Sequence, residues 1–267
     1  MDIAGKVFVV TGGGNGIARE LVLQLLAKGA TVAAVDLNAE GLKETKKLAG
    51  TGAKLSTHTL NITDRAKVMA LPKTVISKHG QVDALVNVAG IIQPFVKVND
   101  LDFDAIERVM NVNLYGTINT VKAFLPELLN RLEGYIANVS SMGGYAPVPG
   151  QTIYGATKAA VKLLTEGLHS ELMDTKVHVT AIYPGAIATN IAQNSGMAMP
   201  ANMDPHEANK FKTTSVEVAA HTIIGAIEKN AYKVFIGSDA KTMDKLTRLM
   251  PEKAAAMIYK QMKSLLG

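Results

Sequence analysis

Val7-Phe8-Val9-Val10-Thr11-Gly12-Gly13-Gly14-Asn15-Gly16-Ile17-Ala18 is the stretch that decides the fold. Its first four residues are an apolar, mostly β-branched run of strand length, and Ile17 opens an apolar pattern at helical spacing. Between them lies a glycine-rich turn. Strand, glycine turn and helix, in that order, form the context in which backbone cradles a pyrophosphate. Glycines let the chain turn tightly and approach the ligand, while the helix start offers free N–H groups and the positive end of its dipole. The same order also suits a merely tight strand-to-helix connection, so further residues must decide.

Outward from this turn, apolar runs alternate with longer helical patterns. Val7–Val10, Thr31–Val35, Lys54–Leu60, Ala84–Val88, Tyr135–Val139, His178–Tyr183 and Val234–Ile236 read as strands buried on both faces. Ile17–Lys28, Ala39–Leu48, Arg65–Lys78, Phe103–Leu132 and Ile153–Leu172 read as helices. This alternation predicts an α/β fold, a single-domain Rossmann-like doubly wound parallel sheet with helices on both faces. Its ligand site belongs at the carboxyl ends of the strands. A length of 267 residues suits one such domain, and 48% hydrophobic against 19% charged residues supplies a large core. Residues 1–240 are expected to form the dinucleotide-binding catalytic domain. Within it, residues 190–212 carry Gly196, Pro200 and Pro205 with Met197, Met199 and Met203 and no clean period, as a substrate lid would.

Asp36 ends the second strand, about 20 residues after the turn, where a carboxylate accepts both ribose hydroxyls. A 2′-phosphate there would meet like charge, and Leu37 and Asn38 supply no arginine to offset it, so NAD is expected over NADP. Tyr154 and Lys158 lie four residues apart, on one helix face. A phenol titrates near pH 10, too high for a base at neutral pH, and a nearby positive charge lowers that value. Spacing alone is weak evidence: 7 tyrosines and 23 lysines give about 0.6 such pairs by chance. Tyr259 and Lys263 form a second pair in the tail. Thirteen residues before Tyr154, however, stands Ser141, just past an apolar strand and able to hold a substrate oxygen beside the phenol.

The chain resembles the short-chain dehydrogenase/reductase family over nearly its whole length. The resemblance rests on Thr11 to Ala18, Asn87-Val88-Ala89-Gly90, Asn111-Val112-Asn113-Leu114, Ser140-Ser141, Tyr154 to Lys158, and Tyr183-Pro184-Gly185 leading to Thr189, in the family's order. It implies that Tyr154 is the general acid/base and that Ser141 bonds the substrate oxygen. Lys158 would lower the tyrosine pKa and hold the nicotinamide ribose, and Asn113 would anchor a water-mediated proton relay. Cofactor contacts would come from Gly12, Asn15, Gly16 and Ile17, from Asp36 and Leu37, from Asn61 and Ile62, and from Asn87, Ala89 and Gly90. Pro184, Gly185, Ile187 and Thr189 would contact the nicotinamide end, together with Tyr154 and Lys158. Three positions depart from the family pattern: Ala18 replaces the turn's last glycine, Val88 an asparagine, and Asn61 an aspartate at the adenine site.

The remaining features mostly exclude. Without cysteine there is no disulfide, thiolate metal site or cysteine nucleophile, and a reducing cytoplasm is the expected location. Six scattered histidines show no metal-ligand pairing, so no metal is expected. No secretory signal or transmembrane run is read. Net charge is +5, but six basic residues against Asp244 and Glu252 sit after residue 240, which is no nucleic-acid footprint. That tail, residues 241–267, reads as an amphipathic helical extension interrupted by Pro251. It would pack on this subunit or a partner, the alternative being peripheral contact with an anionic membrane. The family resemblance implies a homodimer or homotetramer.

Few charged groups follow Ser141 through Gly144, Tyr145, Ala146 and Pro147 or occupy the Met-bearing loop. The expected function is therefore NAD-dependent interconversion of an apolar secondary alcohol and its ketone. The alternatives are a 3-oxoacyl thioester reductase, against which Asp36 argues, and a non-catalytic NAD sensor, which would need no acid–base set.

Overall fold

The first strand, β1 (Val7–Thr11), is buried along its whole length. Its period of two sends alternate side chains to opposite faces, so one strand seeds two cores. Phe8 and Val10 join Leu21, Val22, Leu25 and Ile223 on one face. Val7 and Val9 join Val68, Val75, Phe124 and Leu128 on the other.

The computed structural model describes residues 1–189, 191–195 and 213–266. After β1 come α1 (Gly16–Ala27), β2 (Thr31–Asp36), α2 (Ala39–Ala49), β3 (Leu55–Thr59), α3 (Arg65–His79) and β4 (Ala84–Asn87). There follow α4 (Phe103–Met110), α5 (Gly116–Leu129), β5 (Gly134–Val139), α6 (Thr152–Glu171), β6 (Val177–Pro184) and the short α7 (Ile191–Asn194). The chain continues through α8 (Val216–Glu228), β7 (Lys233–Ile236), α9 (Ser238–Leu249) and α10 (Pro251–Met262). All seven expected strands are present, each within one residue of its predicted ends, in one sheet ordered β3-β2-β1-β4-β5-β6-β7. Every pairing is parallel. Val9 of β1 faces Ala33 of β2 on one side and Leu85 of β4 on the other. Strand order reverses between β1 and β4, so the connections above them diverge and leave a crevice at the strands' carboxyl ends.

Two expectations need correction. Burial on both faces fails at the sheet edges: β3 is half-buried through most of its length, and β7 begins at an exposed Lys233. An edge strand has one neighbour and less helix above it. The single helix expected over Phe103–Leu132 is instead α4 and α5, joined by a π-turn at Asn111–Tyr115. The extra residue of a π-turn shifts the helix face, and here it turns Asn113 wholly inward.

Pro251 divides the tail into α9 and α10, taking the first position of α10, where its missing N–H is no loss. Ala240 on α9 and Ala254 and Ile258 on α10 are buried. Leu266, near the end of the chain, lies close to Gly150 and Phe95, with its Cδ2 3.0 Å from where a Cβ on Gly150 would sit. No described helix is long and apolar enough to cross a membrane. Of the expected lid at residues 190–212, only 191–195 fall within the described residues. Ile187 forms a parallel bridge with Thr214 on the far side of that segment.

Candidate active site

Glycine is required in the first turn for two separate reasons. Gly12 has φ +79°, and a Cβ there would lie 3.1 Å from the Ala89 backbone. A Cβ on Gly13 would lie 2.9 Å from the Ala34 methyl group. The turn therefore nests between β2 and the end of β4 only while it lacks side chains. Thr11 holds the other wall, its hydroxyl accepting from the N–H groups of Val88 at 3.1 Å and Ala89 at 3.2 Å. Asn15 caps α1 by accepting from Gly16 N. Asp36 closes the far end: Oδ2 accepts from Gly14 N and Oδ1 from Asn38 N, both at 2.8 Å. Arg19, one turn into α1, lies against the back of this turn. Its Nε donates to Thr45 Oγ1 at 3.0 Å, and Nη2 donates to the carbonyls of Gly14 and Gly41.

The second half of the site is carried by β5 and α6. Ser141 lies two residues past β5, beside the Tyr154 phenol, and its hydroxyl accepts from Gly143 N at 3.0 Å. The helical period places Lys158 one turn beyond Tyr154, its Nζ 5.9 Å from the phenol ring centre and donating to the Val139 carbonyl at 3.0 Å. Lys158 is 4% exposed. That burial pushes its pKa down from 10.5 to about 8. Burial pushes the Tyr154 phenol up, and the neighbouring Ser141 hydroxyl offsets part of the rise. The chain by itself thus holds a neutral phenol beside an ammonium, and a second positive charge is needed to favour phenolate. Gly90 is fitted to this group: a Cβ on it would stand 3.1 Å from Lys158 Nζ and 3.2 Å from Asn113 Oδ1.

These parts line one cavity of about 630 Å³, within the range of small-molecule sites. It brings together Gly12, Asn15, Gly16, Ile17, Asp36, Leu37, Asn61, Ile62, Ala89, Gly90, Ser141, Tyr154, Lys158, Pro184, Gly185, Ile187 and Thr189, as the sequence leads one to expect. It does not bring in Asn87 or Asn113. Asn87 lies below the cleft, donating to Asn138 Oδ1 at 2.9 Å and accepting from Thr120 Oγ1 at 2.8 Å. Asn113 grips the Ile91 backbone with both ends of its amide, at 2.9 Å each, and also donates to Thr157 Oγ1 at 3.1 Å. Tyr145 also turns away: its hydroxyl donates to the Ala240 carbonyl at 2.8 Å, and its ring packs against Tyr183 and Phe235.

Sequence reasoning missed the apolar wall at the Tyr154 end, built from Ile91, Ile92, Phe95, Met142, Val148 and Ile191. Those residues carry no motif. Ile92 N donates to Ser195 Oγ at 3.0 Å, joining this wall to the residue after α7. Gln151 also lines the cavity, and its Oε1 is buried with no partner. A further miss is Asp239 on α9, whose Oδ2 accepts from Ala186 N at 2.8 Å. A Cβ on Gly185 would overlap that carboxylate, so the strip after β6 is moulded on the C-terminal helix.

Among the described residues lining the cavity, Asp36 and Lys158 alone carry charge. A side-chain-free cradle at a helix start, a carboxylate placed for ribose hydroxyls and a cation beside a phenol fit a nicotinamide dinucleotide lying from β2 to α6.

Comparison with known proteins agrees. Residues 6–199 match the sequence profile described as short chain dehydrogenase. The chain is 36% identical over 252 residues to SadH of Mycobacterium tuberculosis, named as an oxidoreductase, covering 92% of this chain and 91% of that protein. It is 37% identical over 196 residues to the 3-oxoacyl-acyl-carrier-protein reductase FabG of Thermotoga maritima, covering 72% and 78%. A short chain dehydrogenase/reductase from Burkholderia phymatum, solved in complex with NAD, superposes with a TM-score of 0.86 at 23% identity, covering 95% of this chain and 96% of that one. The chain belongs to the short-chain dehydrogenase/reductase family of nicotinamide-dependent oxidoreductases.

Proposed function

We propose that this chain is an NAD-dependent dehydrogenase interconverting a neutral, apolar secondary alcohol and its ketone. One observation carries the reading: a single cleft holds Ser141, Tyr154 and Lys158 at one end and Asp36 at the other. The Gly12–Ile17 turn would hold the pyrophosphate, Asp36 the adenosine ribose, Asn61 and Ile62 the adenine, and Pro184 to Thr189 the nicotinamide. NAD, when bound, supplies the carbon that accepts hydride and a positively charged ring. Ser141 holds the substrate oxygen. Tyr154 takes the hydroxyl proton during oxidation and returns it during reduction. Lys158, still charged at neutral pH, supplies one of the two positive charges that favour the phenolate.

Asp36 supports NAD over NADP because a 2′-phosphate would lie against a carboxylate. The apolar wall beside Tyr154 supports an uncharged substrate. Exposed Phe103 and Leu163, on helices flanking the cleft, suit contacts in a homodimer or homotetramer, which sedimentation would measure.

The test is reduction of NAD, followed optically, across a panel of secondary alcohols. NAD should be preferred to NADP by about 100-fold in kcat/KM, and equal use of the two would refute the assignment. Replacing Tyr154→Phe should lower kcat by about 100- to 10,000-fold, and unchanged turnover would remove the mechanism. The FabG relative favours a second reading, reduction of a 3-oxoacyl thioester. Faster turnover of acetoacetyl thioester with NADPH than of any simple ketone with NADH would select it.

A further inference from the structure

Tyr154 is the third residue of α6, inside the one turn whose N–H groups a helix cannot pair for itself. Gln151, at the N-cap position, makes no side-chain bond to that turn. The orphan donors are instead met from sixty residues earlier in the chain. Gln93 Oε1 accepts from Ile153 N at 2.8 Å and from Tyr154 N at 2.9 Å. Gln93 Nε2 donates to the Gly150 carbonyl at 2.9 Å, and the Gln93 carbonyl accepts from Gln151 Nε2 at 2.7 Å. The residue is completely buried. Its surroundings leave no choice of amide orientation, since two donors face the oxygen and an acceptor faces the nitrogen.

The other end of this strip is held as firmly. Two residues before Gln93, the backbone of Ile91 is gripped by Asn113 from the π-turn. Gln93 therefore connects a fixed wall of the cleft to the start of α6.

We infer that Gln93 is a positioning residue: it caps α6 from elsewhere in the chain and so sets where the Tyr154 phenol stands against Ser141 and Lys158. The inference rests on Tyr154 being the acid/base of the proposed reaction. A leucine at this position would leave two buried N–H groups unpaired and free the first turn to fray. A glutamate would still accept from both N–H groups but would turn a carboxylate towards the Gly150 carbonyl.

The test compares Gln93→Leu and Gln93→Glu with the parent chain, using NAD and cyclohexanol as probes. Because ångström-scale misplacement of a reacting group costs about 100-fold, Gln93→Leu should lower kcat by about that factor while NAD affinity stays within about twofold. The acidic limb of its kcat–pH profile should move to higher pH as the phenol leaves the Lys158 charge. Gln93→Glu should recover about tenfold of the lost kcat by restoring the cap, again with the acidic limb raised by the added negative charge. A second measurement needs no substrate: amide exchange at Ile153 and Tyr154 should accelerate in Gln93→Leu.

Unchanged kcat in Gln93→Leu, parallel loss of kcat and NAD affinity, or unchanged amide exchange would each overturn the inference. Should Gln93→Leu fail to fold, Gln93→Glu decides alone, and an unshifted pH profile in it counts against the role. A parent chain that oxidises no secondary alcohol refutes the proposed reaction, and amide exchange then decides on Gln93 separately.

Discussion

Lys158 keeps its ammonium where water scarcely reaches, with the Val139 carbonyl as its partner. Its pKa of about 8, against 10.5 for an exposed lysine, has a consequence for stability. Below about pH 8 the folded and unfolded chains both hold the proton, and the cost of burying the charge is borne in full. Between about 8 and 10.5 the unfolded chain binds more protons, so this contribution to stability rises with pH; above both values it vanishes. Lys158→Met should therefore stabilise the protein by on the order of 2 kcal/mol at pH 7, with a smaller gain at pH 10. Urea titrations of both proteins across that range would show it, and a gain equal at the two pH values would contradict it. At Gly90, by contrast, the cost falls on chemistry. Gly90→Ala pushes on Lys158 Nζ and Asn113 Oδ1 together, and should reduce kcat by about tenfold. Steady-state kinetics showing a change in NAD KM alone would argue against that account.

Neighbouring elements are tied by a buried polar chain. Thr120 on α5 donates to Asn87 on β4, Asn87 to Asn138 on β5, and Asn138 to Thr165 on α6, at 2.8, 2.9 and 3.0 Å. All four residues are buried. Asn87 thus ties β4 to α5 and β5 just before the cleft-lining Val88 and Ala89. Asn87→Ala leaves the Asn138 oxygen without a donor and should destabilise the fold by about 1–3 kcal/mol, with NAD affinity within about threefold of the parent. Thermal melts and NAD titration separate the two effects; lost affinity at unchanged stability would return Asn87 to the binding site. The π-turn between α4 and α5 has the complementary role of delivering Asn113 to Ile91.

Across the whole molecule, the reversal of strand order between β1 and β4 opens the cleft, and the C-terminal segment packs behind part of its lining. Asp239 of α9 moulds the strip after β6, and Leu266 reaches Gly150 and Phe95 beside the substrate end. Ending the chain after Met262 removes Leu266 from beside Phe95, which lines the cavity. The kcat/KM ratio of a bulky alcohol to a small one should then rise by about five- to tenfold, as expected for extra room in an apolar pocket. A substrate panel giving the same ratio with and without residues 263–267 would show that the tail has no part in selection.

The strands, the phosphate turn and the Tyr154–Lys158 face are legible in the sequence, because each depends on short-range rules. Burial favours apolar runs of strand length, a tight turn admits only glycine, and four residues make about one helical turn. The four-residue spacing could not separate Tyr154 from Tyr259 and Ser141 upstream did; the tertiary structure agrees, with Tyr154 lining the cleft and Tyr259 54% exposed on α10. Stacking of the elements, by contrast, gives Asn113 its grip on Ile91, Asn87 its bond to Asn138, Tyr145 its place against the C-terminal helix, and Gln93 its cap on α6. Each of those outcomes is a hydrogen bond between residues 22 to 95 positions apart. No local period carries that information, since which donor meets which acceptor is set by how the elements stack, after the elements themselves exist.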